Sequence, residues 1–153
     1  MKVIDATPAS RKPTHPIGVV IVTHGHLATE FIAAAEMILG PIPHVTPASI
    51  DWHDDVDVAH QELQRAVARV SHGRGVLLLT DMFGGAPTDI ASMFLDDTQI
   101  EVVTGVNLPM ILKVAAQAPE DSLEELAQRV RETGREGIQR AGELLPRLKK
   151  EQV

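Results

Sequence analysis

The chain contains no cysteine, which excludes disulfide bonds, thiol nucleophiles and cysteine-based zinc sites. Aromatic residues are also scarce, with three Phe, one Trp and no Tyr. No apolar stretch approaches the roughly 18 residues that a membrane-spanning helix needs. Residues 1–16 lack the apolar centre of a signal peptide and include Pro8, Pro13 and Pro16. We therefore expect a cytoplasmic protein whose chemistry depends on other side chains.

Basic residues are outnumbered, with 14 Lys and Arg against 21 Asp and Glu, for a formal net charge of -7. This balance argues against non-specific binding to nucleic acid or to an anionic membrane. The 153 residues suit one domain with a substantial core. We expect residues 1–15 to form a flexible extension, residues 16–145 to form the domain, and residues 146–153 to form a charged tail.

Hydrophobic patterning predicts strands that alternate with helices. Apolar runs of strand length occur at 17–22, 45–50, 75–79 and 100–103. Apolar residues at helical spacing follow each run, and a capping box that begins at Ser122 opens the last helix. This alternation predicts an α/β fold with a mostly parallel sheet, which we expect to have the order 2-1-3-4 with helices on both faces. A proline at position 47 places the second strand at an edge of the sheet.

Polar loops follow three of the predicted strands. They are THGH at 23–26, TDMFGGAP at 80–87 and TGVN at 104–107. In a parallel sheet these loops open at one edge, and in the order 2-1-3-4 the first and third strands are neighbours, so His24 and Asp81 should meet. A carboxylate that accepts a hydrogen bond from one imidazole nitrogen leaves the other with an exposed lone pair. The pair is therefore a candidate nucleophile and its orienting group.

The second of these loops carries an adjacent glycine pair, Gly84 and Gly85, followed by Pro87. Glycine lets backbone N–H groups approach an anion closely, and proline suits the first turn of a helix. None of the three loops contains Lys or Arg, and the chain has no GxxxxGK[ST] motif. The pattern therefore favours a transient phosphoryl group on His24 over a bound nucleotide, although a glycine pair can also be an ordinary turn.

Other interpretations stay open for several of these residues. His26 is a rival nucleophile, but its place at a helix start favours the rim of the site. Asp81 can instead cap the helix that follows it. Thr23, Thr80 and Thr104 can donate to a phosphoryl group or simply close their strands.

The acidic segment 51–57, with His53 and His60 nearby, raises the alternative of a metal site. A run of carboxylates at a helix start is already explained by the helix dipole, so we expect no metal. Trp52 and Phe83 can each belong to a docking surface or to packing. Phe83 is the better interface candidate because it lies on a strand-end loop.

Five motifs in sequence order resemble the EIIA domains of the mannose family of the bacterial phosphoenolpyruvate-dependent sugar phosphotransferase system (PTS). They are VTHGHLA at 22–28, AAEMILG at 34–40, LLLTDMFGGAPTDIAS at 77–92, GVNLPM at 105–110 and ETGREGI at 132–138. The resemblance covers residues 17–140, and five motifs in the right order are a specific signal.

The resemblance implies that His24 accepts a phosphoryl group from the phosphocarrier protein HPr and passes it to an EIIB component for carbohydrate uptake. It implies that Asp81 orients His24, that the protein forms a homodimer, and that it meets the membrane only through the transporter. We expect no cofactor. The proposed phosphoryl contacts are Thr23, Gly25, Gly84, Gly85 and Ala86. The proposed docking residues are His26, Met82, Phe83 and Asn107.

Some features depart from the family's pattern. The family usually has Ser or Thr where this chain has Ala86, and Asn where it has Asp89, so one hydroxyl donor is missing and one negative charge is added. The family's sheet can include an antiparallel edge strand near the C-terminus, where residues 137–148 look helical here. Three alternative functions stay open: a phosphotransfer subunit of a dihydroxyacetone kinase system, a regulator that senses phosphorylation of His24, and a flavodoxin-like ligand-binding module.

Overall fold

The computed structural model describes residues 15–51 and 53–145. The predictions for residues 1–14, Trp52 and the tail at 146–153 lie outside the described residues. Four strands alternate with five helices in the described part of the chain. They are β1 (Gly18–His24), α1 (Leu27–Leu39), β2 (Val45–Ile50), α2 (Val56–Val70), β3 (Val76–Thr80), α3 (Ala86–Ser92), β4 (Ile100–Thr104), α4 (Leu108–Ala115) and α5 (Leu123–Glu136).

The four strands form one sheet in the order β2-β1-β3-β4, and every neighbouring pair is parallel. The predicted fold class and strand order are therefore confirmed. β2 is an edge strand, as its internal proline required, because proline has no N–H to offer to a second neighbour. β1 and β3 lie side by side at the centre, with Val22 of β1 opposite Thr80 of β3.

Side chains of β1 alternate between two hydrophobic cores, one on each face of the sheet. Val19 and Ile21 pack with α1, α4 and α5 on one face. Val20 and Val22 pack with α2 and α3 on the other face. Since successive residues of a strand point to opposite faces, this pattern also fixes the directions of the polar residues at the end of β1.

Three helices begin with a side-chain cap. Asp55 accepts the N–H of Asp57 at the start of α2. Ser122 and Glu125 form the predicted capping box of α5. Such caps satisfy backbone donors that have no partner inside the helix, and each contributes about 1 kcal/mol. The third cap, Asn107 at the start of α4, bears on the site and is described below.

The described residues after α5 contain no strand. Residues 138–140 are irregular and residues 141–145 form a helical turn, so the helical interpretation of 137–148 holds in part and residues 146–148 lie outside the described range. An antiparallel edge strand is therefore absent from residues 137–145, and β4 is the second edge of the sheet. Within the described ranges no helix has the length and apolar character needed to cross a membrane.

Candidate active site

The carboxylate of Asp81 binds His24 through both its backbone and its ring. Oδ2 of Asp81 accepts the backbone N–H of His24 at 3.0 Å and lies 2.7 Å from the ring nitrogen Nδ1. Oδ1 accepts the backbone N–H of Met82 at 3.0 Å. The Asp81 side chain is 12% exposed, whereas that of His24 is 39% exposed. The carboxylate is thus sheltered and the imidazole is open to a partner.

The charge state of Asp81 determines which nitrogen of His24 is free. Burial raises the pKa of Asp81. This effect is outweighed by hydrogen bonds from the backbone and ring of His24, by attraction to that ring and by the hydrogen bond from Met82, so the pKa lies below its ordinary value. An ionised carboxylate only accepts hydrogen bonds, so Nδ1 of His24 must carry the hydrogen. In the neutral ring Nε2 then holds the lone pair.

Because the pKa of Asp81 is lowered, we expect the free energy of unfolding to depend on the pH. A carboxylate whose folded pKa lies below its unfolded value of about 3.9 stabilises the fold above that pH and loses this contribution as the pH falls through the folded pKa. Wild type should therefore be more stable than Asp81→Asn at pH 7, and the gap should narrow below about pH 4. Urea denaturation at several pH values measures the free energy of unfolding of both proteins. A difference between them that widens on acidification would contradict the lowered pKa of Asp81.

Nε2 of His24 faces the glycine turn that leads into α3. Gly84 and Gly85 have φ angles of +84° and +93°, in the left-handed region that favours glycine. A Cβ added at Gly85 would lie 3.2 Å from Nε2 and 3.3 Å from Cε1 of His24. Gly85 therefore keeps open the space beside the nitrogen that holds the lone pair. Gly85 is also the N-cap of α3, which has no side-chain cap, so Asp81 does not cap this helix.

Thr23, one of the proposed phosphoryl contacts, is turned away from His24. It precedes His24 on β1, so its side chain points to the opposite face of the sheet. Thr23 is fully buried, and its Oγ1 accepts the backbone N–H of Ala28 at 2.8 Å. Its hydroxyl therefore holds the start of α1 against the end of β1. Gly25, with a φ of +53°, turns the chain between these two elements.

The side-chain amide of Asn107 makes two hydrogen bonds within the protein. Its Oδ1 accepts the N–H of Met110 at 3.2 Å, and its Nδ2 donates to the carbonyl of Gly134 at 2.9 Å. The side-chain amide thus caps α4 and ties it to α5. Both ends of the amide are therefore occupied by hydrogen bonds within the protein.

The other predicted docking residues are exposed. Phe83 is 83% exposed and Met82 is 54% exposed, on the loop that follows Asp81. His26 is exposed at the start of α1 and makes no side-chain capping bond. Ala86, the first residue of α3, is partly buried. An apolar surface therefore borders the imidazole of His24 on the Asp81 loop.

Thr88 is a site residue that the sequence analysis missed. It lies in α3, is buried, and donates a hydrogen bond from Oγ1 to the carbonyl of Met82. The signal that was available is its spacing, because Thr88 and Ala91 are three apart in a short helix and so share the face that packs on the sheet.

Several residues of the acidic segment near α2 make structural contacts. Asp54 accepts the backbone N–H of Asp51, Asp55 caps α2, and the ring of His60 stacks on Phe94. Among residues 15–51 and 53–145, no three His, Cys, Asp or Glu side chains are grouped so that they could hold a metal ion.

Comparison with known proteins gives matches across most of the chain. The family model EIIA-man, described as the PTS system fructose IIA component, matches residues 18–131. The chain is 34% identical over 124 residues to the PTS system mannose-specific EIIAB component of Escherichia coli (strain K12), a match that covers 80% of the chain and 38% of that protein. It is 31% identical over 111 residues to the PTS system sorbose-specific EIIA component of Lacticaseibacillus casei, covering 71% of the chain and 78% of that protein.

The fold is also similar to that of solved structures. The phosphotransferase system component EIIA from Streptococcus agalactiae superposes with a TM-score of 0.72 at 26% identity, covering 81% of this chain and 96% of that one. The mannose/sorbose-specific IIA subunit from Enterococcus faecalis gives a TM-score of 0.73 at 25% identity, covering 82% and 94%. The described fold is thus shared over almost the whole length of both structures.

Proposed function

The chain belongs to the EIIA-man family of the sugar phosphotransferase system, and from this premise we propose that it relays a phosphoryl group through His24. Membership gives it a phosphotransfer role. The finer assignment rests on one observation, the 2.7 Å contact that holds Nδ1 of His24 on Asp81 and leaves Nε2 free beside Gly85. We propose Nε2 as the atom that is phosphorylated.

The proposed reaction is an in-line transfer from the phosphohistidine of HPr. The lone pair on Nε2 of His24 attacks phosphorus and forms a new N–P bond while the N–P bond in HPr breaks, and its electron pair returns to the imidazole of HPr. Positive charge develops on the His24 ring, and the carboxylate of Asp81 stabilises it. The reverse chemistry then passes the group to EIIB. The two bonds exchanged are of the same kind, so the transfer needs no separate activation of the phosphoryl group.

The backbone at the start of α3 is the proposed cradle for the phosphoryl oxygens. Donors aimed at developing charge lower the barrier most when they are held in place before the reaction. Gly84, Gly85 and Ala86 offer backbone N–H groups there, and Ala86 adds no hydroxyl. Gly25 follows His24 directly and completes the proposed set of phosphoryl contacts.

The surface around His24 suits contact with protein partners in turn. We propose that Met82, Phe83 and His26 contact HPr and EIIB, because they are exposed and lie on the two loops that carry Asp81 and His24. HPr and EIIB act on the cytoplasmic side of the transporter, where we place this protein. We also propose a homodimer and a domain that spans residues 16–145. Light scattering would test the dimer.

Asp81→Asn should slow phosphorylation by HPr about thirtyfold, because it removes a charge-assisted hydrogen bond worth about 2 kcal/mol. The amide can also present its NH₂ group to Nδ1, which would place the ring hydrogen on Nε2 and remove the lone pair. Rapid-quench measurement of labelling from phospho-HPr gives the rate. An unchanged rate would make Asp81 a structural residue only.

A further inference from the structure

Two buried hydroxyls converge on the backbone carbonyl of Met82. Oγ1 of Thr88 donates a hydrogen bond to this carbonyl. Oγ1 of Thr80 lies 3.3 Å from Oγ1 of Thr88 and 3.5 Å from the same carbonyl. Thr80 is 0% exposed and Thr88 is 4% exposed, so bulk water has almost no access to replace either hydroxyl.

The direction of the hydrogen bonds follows from the chemistry of the groups. A carbonyl only accepts, and each threonine hydroxyl has one hydrogen. Thr88 donates its hydrogen to the carbonyl of Met82, so the hydrogen of Thr80 can be donated to Oγ1 of Thr88 at 3.3 Å or to the same carbonyl at 3.5 Å. The network therefore runs from the end of β3, through α3, to the loop that follows Asp81.

Met82 is the link between this network and the His24 site. Its carbonyl is held by Thr88, and its own N–H donates to Oδ1 of Asp81 at 3.0 Å. Its side chain is largely exposed, so the backbone bonds are what fix this residue. Holding the Met82 backbone at both ends fixes one oxygen of the Asp81 carboxylate, whose other oxygen contacts Nδ1 of His24.

We propose that Thr88 is a positioning residue for phosphoryl transfer, keeping the Asp81 carboxylate aligned with His24 through the backbone of Met82. This inference rests on the proposed function of His24. Thr88 contacts none of the reacting atoms. Its loss releases the Met82 carbonyl, lets the loop relax, and weakens the bond from Met82 to Asp81.

The test compares Thr88→Val, which removes the hydroxyl at nearly constant volume, with Thr88→Ser, which keeps it. Small displacements at a reacting centre cost up to a hundredfold, and we expect Thr88→Val to lower the maximal rate of labelling by phospho-HPr about tenfold. Thr88→Ser should retain the wild-type rate within about twofold.

A double variant separates positioning from general loss of stability. If Thr88 acts through Asp81, adding Thr88→Val to Asp81→Asn should slow transfer no further. Effects that multiply in full would overturn the proposal, as would a Thr88→Val rate equal to that of wild type. If Thr88→Val does not fold, Thr88→Cys replaces it in both comparisons, because a thiol is a weak donor of similar size.

A measurement on the unphosphorylated protein keeps this inference separate from the proposed function. Nitrogen-15 NMR of the neutral His24 ring should show hydrogen on Nδ1 in wild type and in Thr88→Ser, and a mixture of both tautomers in Thr88→Val. The same tautomer in all three would overturn the role of Thr88 whether or not HPr labels the protein. Absence of labelling in wild type would instead refute the phosphoryl relay and leave the NMR comparison to decide on Thr88.

Discussion

His24→Ala should take up no phosphoryl group from phosphoenolpyruvate, Enzyme I and HPr, because it removes the nitrogen that the site leaves with a lone pair. The proposed chemistry cannot occur without this imidazole, since the phosphoryl group is bonded to it. Labelling with radioactive phosphoenolpyruvate, read as moles of phosphate per mole of protein, measures the effect. We expect a loss to background with the far-UV circular dichroism spectrum unchanged.

His26→Ala is the matched control for His24→Ala. His26 is the second histidine of the same loop, is exposed, and makes no side-chain capping bond, so its removal should not disturb the fold. We expect this variant to be labelled to the wild-type stoichiometry, with any slowing confined to partner docking. Full labelling of His24→Ala together with loss of labelling in His26→Ala would contradict this assignment. It would make His26 the phosphorylated residue.

Gly85→Ala should slow phosphorylation about a hundredfold or more, the second largest effect we expect. The added Cβ would lie 3.2 Å from Nε2 of His24, closer than carbon and nitrogen pack without movement, on the side where Gly85 now leaves space. The ring must shift by a few tenths of an ångström to relieve the contact, which disturbs its alignment with Asp81, and the methyl group shields the nitrogen that attacks. Single-turnover labelling by phospho-HPr gives the rate.

Gly84→Ala separates blockage of His24 from backbone strain. Gly84 has nearly the same φ, +84° against +93°, yet a Cβ placed there meets no atom within 4 Å. Both variants should lose about 1–3 kcal/mol of stability, because an L-residue is strained at these positive φ angles. Because Gly84→Ala keeps the backbone N–H proposed to contact the phosphoryl group, it should nevertheless transfer within about threefold of wild type, a change of less than 1 kcal/mol. Equal slowing of both variants would contradict a specific role for Gly85.

The arrangement of the sheet was predictable because its strands are short apolar runs, each followed by polar residues. The run that became β1 is buried on both faces, and proline at position 47 marked β2 as an edge. Once the order 2-1-3-4 was set, the positions of His24 and Asp81 at the ends of neighbouring strands followed from topology. In the structure, Nδ1 of His24 and Oδ2 of Asp81 are 2.7 Å apart.

The side-chain directions and partners of several proposed site residues did not follow from residue type alone. Thr23 has the chemistry of a phosphate ligand, but it precedes His24 on a strand, and alternation turns it to the α1 side of the sheet. The bond from Asn107 to Gly134 depends on the packing of α4 against α5, which sequence spacing does not reveal. Thr88 was overlooked because its partner is a backbone carbonyl, and backbone carbonyls leave no mark in the sequence.

We propose that Nε2 of His24 carries the phosphoryl group, and this proposal can be tested directly. Phosphorylating the nitrogen-15-labelled protein with HPr and recording nitrogen–phosphorus coupling by NMR identifies the bonded atom directly. We expect coupling to Nε2 of His24, with the hydrogen retained on Nδ1 against Asp81. Coupling to Nδ1 of His24, or to the ring of His26, would contradict it.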